Sequence, residues 1–276
     1  MKARRAHPGD LPAIVALSQR ARRTLPRLWW WDEYLAHDLF IVIEHKGSVI
    51  GALFAWPDDS PVAWVRLAAL DDALDVGVWL DLALPVVLDG LRRRGTQKLA
   101  WMDYGGWAGP YLSTRGCQRL TEVVTLAKFD RVLPDTSAPD IRSRPASDAD
   151  VPAVVAVERA AFTPHWWHSA ATLHRRAATT SYFVVAELAG QVVGYAEGER
   201  HFPTAHLNRI AVHPVRQGCG IGTRLLHDAL LAFWQYGADE VTLNTQADNH
   251  YSQRLYRRFG FEPTGEHTTV WELQVA

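Results

Sequence analysis

Apolar residues along this chain switch between a period of two and a period near 3.6, and each switch marks an element. Ser181 to Glu187 and Gln191 to Glu199 are rich in Val and Tyr and flank Ala189-Gly190, which predicts a β-hairpin. Leu207 to Val212 reads as a third strand. From Thr223 to Tyr236, the residues Leu225, Leu226, Ala229, Leu230 and Phe233 share one face at helical spacing and predict an amphipathic helix. Val241 to Asn244 predicts a further strand, and Gly260 stands where a last helix would end on a left-handed residue.

The first half repeats this order. Asp10-Leu11-Pro12-Ala13-Ile14-Val15-Ala16 parallels Asp150-Val151-Pro152-Ala153-Val154-Val155-Ala156. Glu44, Gly47, Val49 and Gly51 recur as Glu187, Gly190, Val192 and Gly194, and Arg66 and Ala68 as Arg209 and Ala211. Matches spread over a domain length indicate duplication of one fold. The expected domains are 1–132 and 141–276, with the proline-bearing stretch 133–140 as linker. Each half predicts a helical opening, a strand pair, a third strand, a long helix, a strand, a short helix and a final strand. That order alone gives α/β or α+β.

Composition narrows the functional classes. With 276 residues and 48% hydrophobic content the chain can fill two cores. A net charge of −1 offers no electrostatic basis for binding nucleic acid or an anionic membrane. Cys117 and Cys219 are the only cysteines, too few for a disulfide framework or a cysteine-based zinc site, and no metal is expected. The basic residues near Met1 are not followed by an apolar stretch, and no segment is long enough to span a bilayer, so a cytoplasmic protein of unassigned oligomeric state is expected.

The chemistry concentrates at Gln217-Gly218-Cys219-Gly220-Ile221-Gly222, between the predicted strand and a helix opening at Thr223. Glycines let a ligand approach the backbone, a helix N-terminus adds partial positive charge, and Arg216 adds a full one, so an anionic cofactor suits the turn. Three readings share these residues: an ordinary tight turn, the glycine loop of a dinucleotide- or S-adenosylmethionine-binding sheet, and the pyrophosphate loop of an acyl-CoA transferase. For the second, glycines should follow the strand directly, whereas His213-Pro214-Val215-Arg216 intervene. Asp239 and Glu240 nevertheless lie at about the ribose-binding spacing of roughly 20 residues.

The run from Leu207 to Leu226, with Gln217, Gly220 and Gly222 in a Gln-x-x-Gly-x-Gly core, resembles the acyl-CoA signature of the GNAT superfamily of N-acyltransferases. Asn249 and Leu255-Tyr256-Arg257-Arg258-Phe259-Gly260-Phe261 resemble the last helix of the same superfamily. The resemblance covers residues 141–276. It implies two tandem folds, each a mixed, mostly antiparallel central sheet flanked by helices, and acetyl-CoA as co-substrate. It further implies transfer of the acetyl group to an amine of a small molecule or peptide.

On that resemblance, Ile210, Ala211 and Val212 hold the pantetheine by backbone pairing, with the Ile210 N–H as oxyanion donor. Gln217, Gly218, Cys219, Gly220, Ile221, Gly222 and Thr223 hold the pyrophosphate. Tyr256 is the general acid; a half-buried core tyrosine is its structural alternative. Asn249 caps its helix or binds near the pantetheine. His206 is the candidate base, with Glu197, Glu199 or a water chain as substitutes, because Asn244 stands where some relatives carry a glutamate. Trp166 and Trp167 either wall the acceptor pocket or pack as Trp30 and Trp31 do in the first half.

The first half departs from the pattern where the chemistry would sit. At an offset of 143, Gln217, Gly220 and Gly222 project onto Leu74, Gly77 and Trp79, amid Asp71, Asp72 and Asp75. Leu112 stands for Tyr256 and Ala63 for His206. The first half therefore reads as a degenerate copy. Two functional classes follow: an acetyl-CoA-dependent N-acetyltransferase with one active half, and a non-catalytic acyl-CoA-binding or interaction protein that keeps the loop.

Overall fold

A computed structural model describes residues 1–25, 35, 37–135 and 141–275. Trp30, Trp31 and residues 136–140 of the expected linker lie outside the described residues. The chain forms two compact units, Met1–Thr121 with Thr268–Ala276, and Glu122–His267. These bounds differ from the expected 1–132 and 141–276, and the reason is an exchange of strands.

The first half contributes β1 (Lys2–Arg5), α1 (Leu11–Arg20), β2 (Arg23–Thr24), β3 (Phe40–His45), β4 (Ser48–Trp56), β5 (Val62–Leu70), α2 (Val76–Arg93), β6 (Lys98–Asp103), α3 (Gly109–Ser113) and β7 (Gln118–Lys128). The second contributes β8 (Arg142–Pro145), α4 (Val151–Ala161), α5 (Ala170–Thr179), β9 (Tyr182–Leu188), β10 (Gln191–His201) and β11 (Thr204–Val212). It continues with α6 (Ile221–Gln235), β12 (Glu240–Gln246), α7 (His250–Arg258) and β13 (Glu262–Gln274).

In the second unit, β8, β9, β10 and β11 pair antiparallel in that order, and β11 pairs β12 in parallel. The far edge of β12 is closed by β7, a strand from the first half of the chain. In the first unit the order β1, β3, β4, β5, β6 is the same, again with one parallel pair, and β6 is closed by β13. Each half thus gives its last strand to the other unit. An ion triad is duplicated too. Arg4 binds Asp10 (2.7 Å) and Glu44 (2.7 Å), and Arg144 binds Asp150 (2.7 Å) and Glu187 (2.6 Å), each tying the first strand to the turn that opens the first helix.

The hairpin falls where predicted, with Ala189 and Gly190 both at positive φ in its turn. Helix α6 begins at Ile221, two positions before the expected Thr223, because Gly220 takes φ 83° and starts it as a left-handed N-cap. Its stripe of Leu225, Leu226, Ala229, Leu230 and Phe233 is buried against Tyr182, Ala196, Ala205 and Leu207 on one sheet face. Val151, Val154 and Val157 of α4 bury Val185, Tyr195 and Ala211 on the other. Gly260 is left-handed at φ 78°, as its position after α7 predicts.

Candidate active site

Strands β11 and β12 pair only from Thr204↔Glu240 to Leu207↔Leu243. Beyond that point each remains paired on its other side, β11 to β10 through Val212 and β12 to β7 through Gln246, so the two strands part and leave a gap. A bulge accompanies the parting. The register passes from Glu197↔Arg209 to Gly198↔Leu207, leaving Asn208 as the extra residue, and a bulge bends the strand that carries it.

Backbone directions in the gap follow from the ladder. His213 N–H donates to Val193 O (2.9 Å), which makes that position a hydrogen-bonded pair. In an antiparallel ladder such pairs alternate with non-bonded ones, so Arg209 and Ala211 face β10 while Ile210 and Val212 face the gap. Gln217 Nε2 donates to Val212 O (3.2 Å), in agreement. Of the three strand residues expected to pair with pantetheine, Ala211 therefore has its backbone groups committed to Tyr195. Ile210 presents both of its groups to the gap, and Val212 presents its N–H while its carbonyl accepts from Gln217.

The turn after β11 leads into a helix end with unpaired donors. Residues 213–220 include Gly218 and Gly220, both at positive φ, and a side chain added at Gly218 would meet nothing. The first backbone bond of α6 is Arg224 N–H to Gly220 O (2.9 Å), and no side chain caps the helix. The N–H groups of Ile221, Gly222 and Thr223 are thus orphan donors at the positive end of a helix dipole.

The corresponding turn of the first unit is shorter, residues 71–75, and α2 starts at Val76. This corrects the projection at constant offset: Gly77 and Trp79 lie inside α2, and it is Asp75 that stands at the N-cap, accepting from Val78 N–H (3.0 Å). Asp71 is paired with Arg20 (3.2 Å) and Asp72 with Arg22 (3.1 Å). The first unit's helix end therefore carries its own carboxylate. Trp79 is fully buried against Gly51 and the indoles of Trp101 and Trp107.

Tyr256 is buried on the α6 face, edge-on to Phe261, and burial raises its phenol far above the usual tyrosine range, against a lowering hydrogen bond with Ser252. It stays protonated at neutral pH. Asn249 Oδ1 accepts from Ser252 N–H (3.1 Å), so the capping alternative describes it. His206 Nδ1 lies 2.7 Å from Thr242 Oγ1 on the neighbouring strand. Burial lowers its pKa, Glu199 opposes this and His201 adds to it, leaving a neutral imidazole at pH 7. Thr242 also lines an open cleft of about 530 Å³ with Thr125, Ala127, Phe129, Glu240 and Glu262. Asn244 is exposed on β12. No cluster of three or more metal-ligating side chains occurs among the described residues, and no helix among them is long and apolar enough to cross a membrane.

Sequence reasoning placed Glu197 only as a substitute base. The structure buries it completely, bidentate to Arg176 Nη1 (3.0 and 3.0 Å), and burial raises its carboxyl. It missed Glu158 and Arg209 as a buried pair (2.5 Å). The available signal was a carboxylate at the helical position i+4 from Val154, on the buried stripe of α4.

A parted parallel strand pair beside an uncapped, glycine-led helix offers a gap and a set of backbone donors suited to an anionic ligand. Residues 151–261 match the acetyltransferase (GNAT) family. An uncharacterized N-acetyltransferase of Methanocaldococcus jannaschii is 32% identical over 120 residues, covering 43% of this chain and 76% of that protein. N-alpha-acetyltransferase RimI of Mycobacterium tuberculosis is 37% identical over 103 residues, covering 36% of this chain and 63% of that protein. A GCN5-related N-acetyltransferase from Sphaerobacter thermophilus shares the fold over 99% of this chain and 95% of its own, with a TM-score of 0.66 at 17% identity. A tandem GNAT protein from the clavulanic acid biosynthesis pathway does so over 98% and 95%, with a TM-score of 0.59 at 17% identity. The chain belongs to the GNAT acetyltransferase family and has its tandem architecture.

Proposed function

We propose that the second unit is an acetyl-CoA-dependent N-acetyltransferase and that the first unit carries no cofactor. The observation that carries this reading is the contrast between two copies of one helix end: α6 starts on a left-handed glycine with free N–H groups, whereas α2 is capped by Asp75. Gln217 to Thr223 would hold the pyrophosphate, and the Ile210 and Val212 backbones the pantetheine in the gap. The fit rests on donors without intrahelical partners, which a phosphate satisfies. Acetyl-CoA supplies the activated carbonyl.

This chain's residues then have three tasks. The amine must lose a proton, and neutral His206 is the base, directly or through water. As amine nitrogen bonds to the carbonyl carbon, the oxygen becomes negative, and the Ile210 N–H, which faces the gap, would donate to it. As the C–S bond breaks, the thiolate takes the phenolic proton of Tyr256. Tyr256→Phe keeps the ring and removes the proton, so kcat is expected to fall by about 10²-fold or more with acetyl-CoA affinity near wild type. An unchanged kcat in a chemistry-limited assay retires that role.

Because the His206 pKa is lowered, its imidazole protonates only below the ordinary value of about 6.5. The acid limb of kcat/KM is therefore expected below that value. In His206→Ala the activity relative to wild type is expected to recover as pH rises and the amine loses its proton unaided. A ratio that does not change with pH points to another base. The exposed Asn244, which accepts no proton, favours the second reading of a non-catalytic acyl-CoA-binding protein. Free-thiol release from acetyl-CoA with a panel of amines separates the two.

A further inference from the structure

Glu158 of α4 is fully buried and gathers bonds from four groups. Arg209 Nη2 (2.5 Å) and Nε (3.2 Å) donate to it, as do the Tyr195 hydroxyl and His168 N–H (2.8 Å). The same guanidinium donates to Trp166 O and lies over the Phe162 ring at 3.9 Å. Carboxylate and guanidinium together therefore hold three points of one turn, at residues 162, 166 and 168, against strand β11.

The fold does not require this arrangement, and the duplication shows why. By strand register and helix position, the first unit has Ser18 for Glu158, Ala52 for Tyr195, Phe54 for Glu197 and Leu67 for Arg209. The register replaces Arg66, the counterpart expected from constant spacing, with Leu67, since Arg66 is itself the bulge residue equivalent to Asn208. The Arg4 and Arg144 ion triads, in contrast, persist in both copies. Taking charges out of water costs more than an apolar core would, so a buried pair present in one copy alone is weak as a stability device.

Its position supplies a role. Arg209 immediately precedes Ile210, which faces the gap. The pinned turn packs with α4 on the sheet face opposite α6, the face that also carries His206. A cofactor anchored at the N-terminus of α6 would leave the side of the turn open to the amine.

We propose that Glu158 and Arg209 are positioning residues that clamp the turn at residues 162–168 to β11 and so set where the acceptor amine meets the thioester. The inference rests on the acyl-transfer reading above. Its test is Glu158→Gln/Arg209→Leu, which removes both charges and leaves an amide whose oxygen can accept from His168 N–H and whose NH2 can donate to the Tyr195 hydroxyl. With polyamines, amino sugars and peptides with free N-termini as acceptors, the acceptor KM is expected to rise tenfold or more while acetyl-CoA Kd by calorimetry stays within twofold. Arg209→Lys, which keeps the charge, is expected to recover part of the loss. An unchanged acceptor KM, or an acetyl-CoA affinity that falls in step, overturns the clamp.

Should wild type release no thiol with any amine, the transfer reading fails, and hydrogen exchange decides the clamp by itself. Amides 162–168 are expected to exchange at least tenfold faster in the double variant with α6 protection unchanged, and equal exchange overturns the proposal. If the double variant does not fold, Arg209→Lys carries the test: a severalfold rise in acceptor KM, or faster exchange at 162–168, supports the clamp, and wild-type values overturn it.

Discussion

Gly220→Asp is expected to abolish acetyl-CoA binding without unfolding the chain. Gly220 sits at φ 83° where α6 begins, in front of the orphan donors of Ile221, Gly222 and Thr223. A carboxylate there puts a negative charge at the helix end, as Asp75 does in the first unit, and sets it against the phosphates. Asp tolerates the left-handed region better than most residues, so the fold survives. Two unit charges about 4 Å apart repel by about 4 kcal/mol at an effective dielectric of 20, close to a thousandfold in affinity for each phosphate charge faced. Calorimetry on wild type should give one acetyl-CoA site per chain and on the variant none. A folded variant with wild-type affinity removes the turn from the cofactor site, and two equivalent sites on wild type remove the first unit's assignment as cofactor-free.

Much of this was legible in the sequence because it depends on local rules. The period-two run around Ala189-Gly190 has one low-energy turn, and the apolar stripe of α6 has one face to bury. The glycines of residues 217–222 announce close backbone approach. Two features were not legible, for different reasons. The three-residue difference between the turns at 71–75 and 213–220 cannot be placed by a constant offset, which is why that offset projects Trp79 onto the loop although it lies in α2. The Glu158–Arg209 pair needs a bulge at Asn208 to bring Arg209 to the α4 side, and a bulge depends on the neighbouring strand as much as on its own sequence.

Strand exchange was hidden for a third reason, and it leads to a strong expectation. The pattern of Gln118 to Lys128 predicts a strand and does not say which of two similar sheets will take it. The repeat by itself would cut the chain near residue 141. A fragment of residues 141–276 lacks β7, so β12 loses all six of its partners from Val241↔Lys128 to Gln246↔Val123. It also loses Val123, Leu126 and Ala127, which are buried in the intact chain. Burial of a Leu or Val contributes about 1.5–3 kcal/mol and a whole domain is stable by about 5–15 kcal/mol, so losing a strand removes most of that margin.

The only equivalent strand left in such a fragment is β13, and its side chains fit β12 badly. In the register it uses on β6, it would set Trp271 where Leu126 lies and Glu272 where Ala127 is 1% exposed, overpacking one position and burying a carboxylate at the next. Residues 122–267 keep β7 on β12 and are expected to give a cooperative thermal transition and a dispersed amide spectrum; residues 141–276 are expected to give neither. A well-dispersed spectrum from residues 141–276 would mean that β13 folds back onto β12 after all, and that the exchange reflects linkage of the two halves and not the side chains of the exchanged strands.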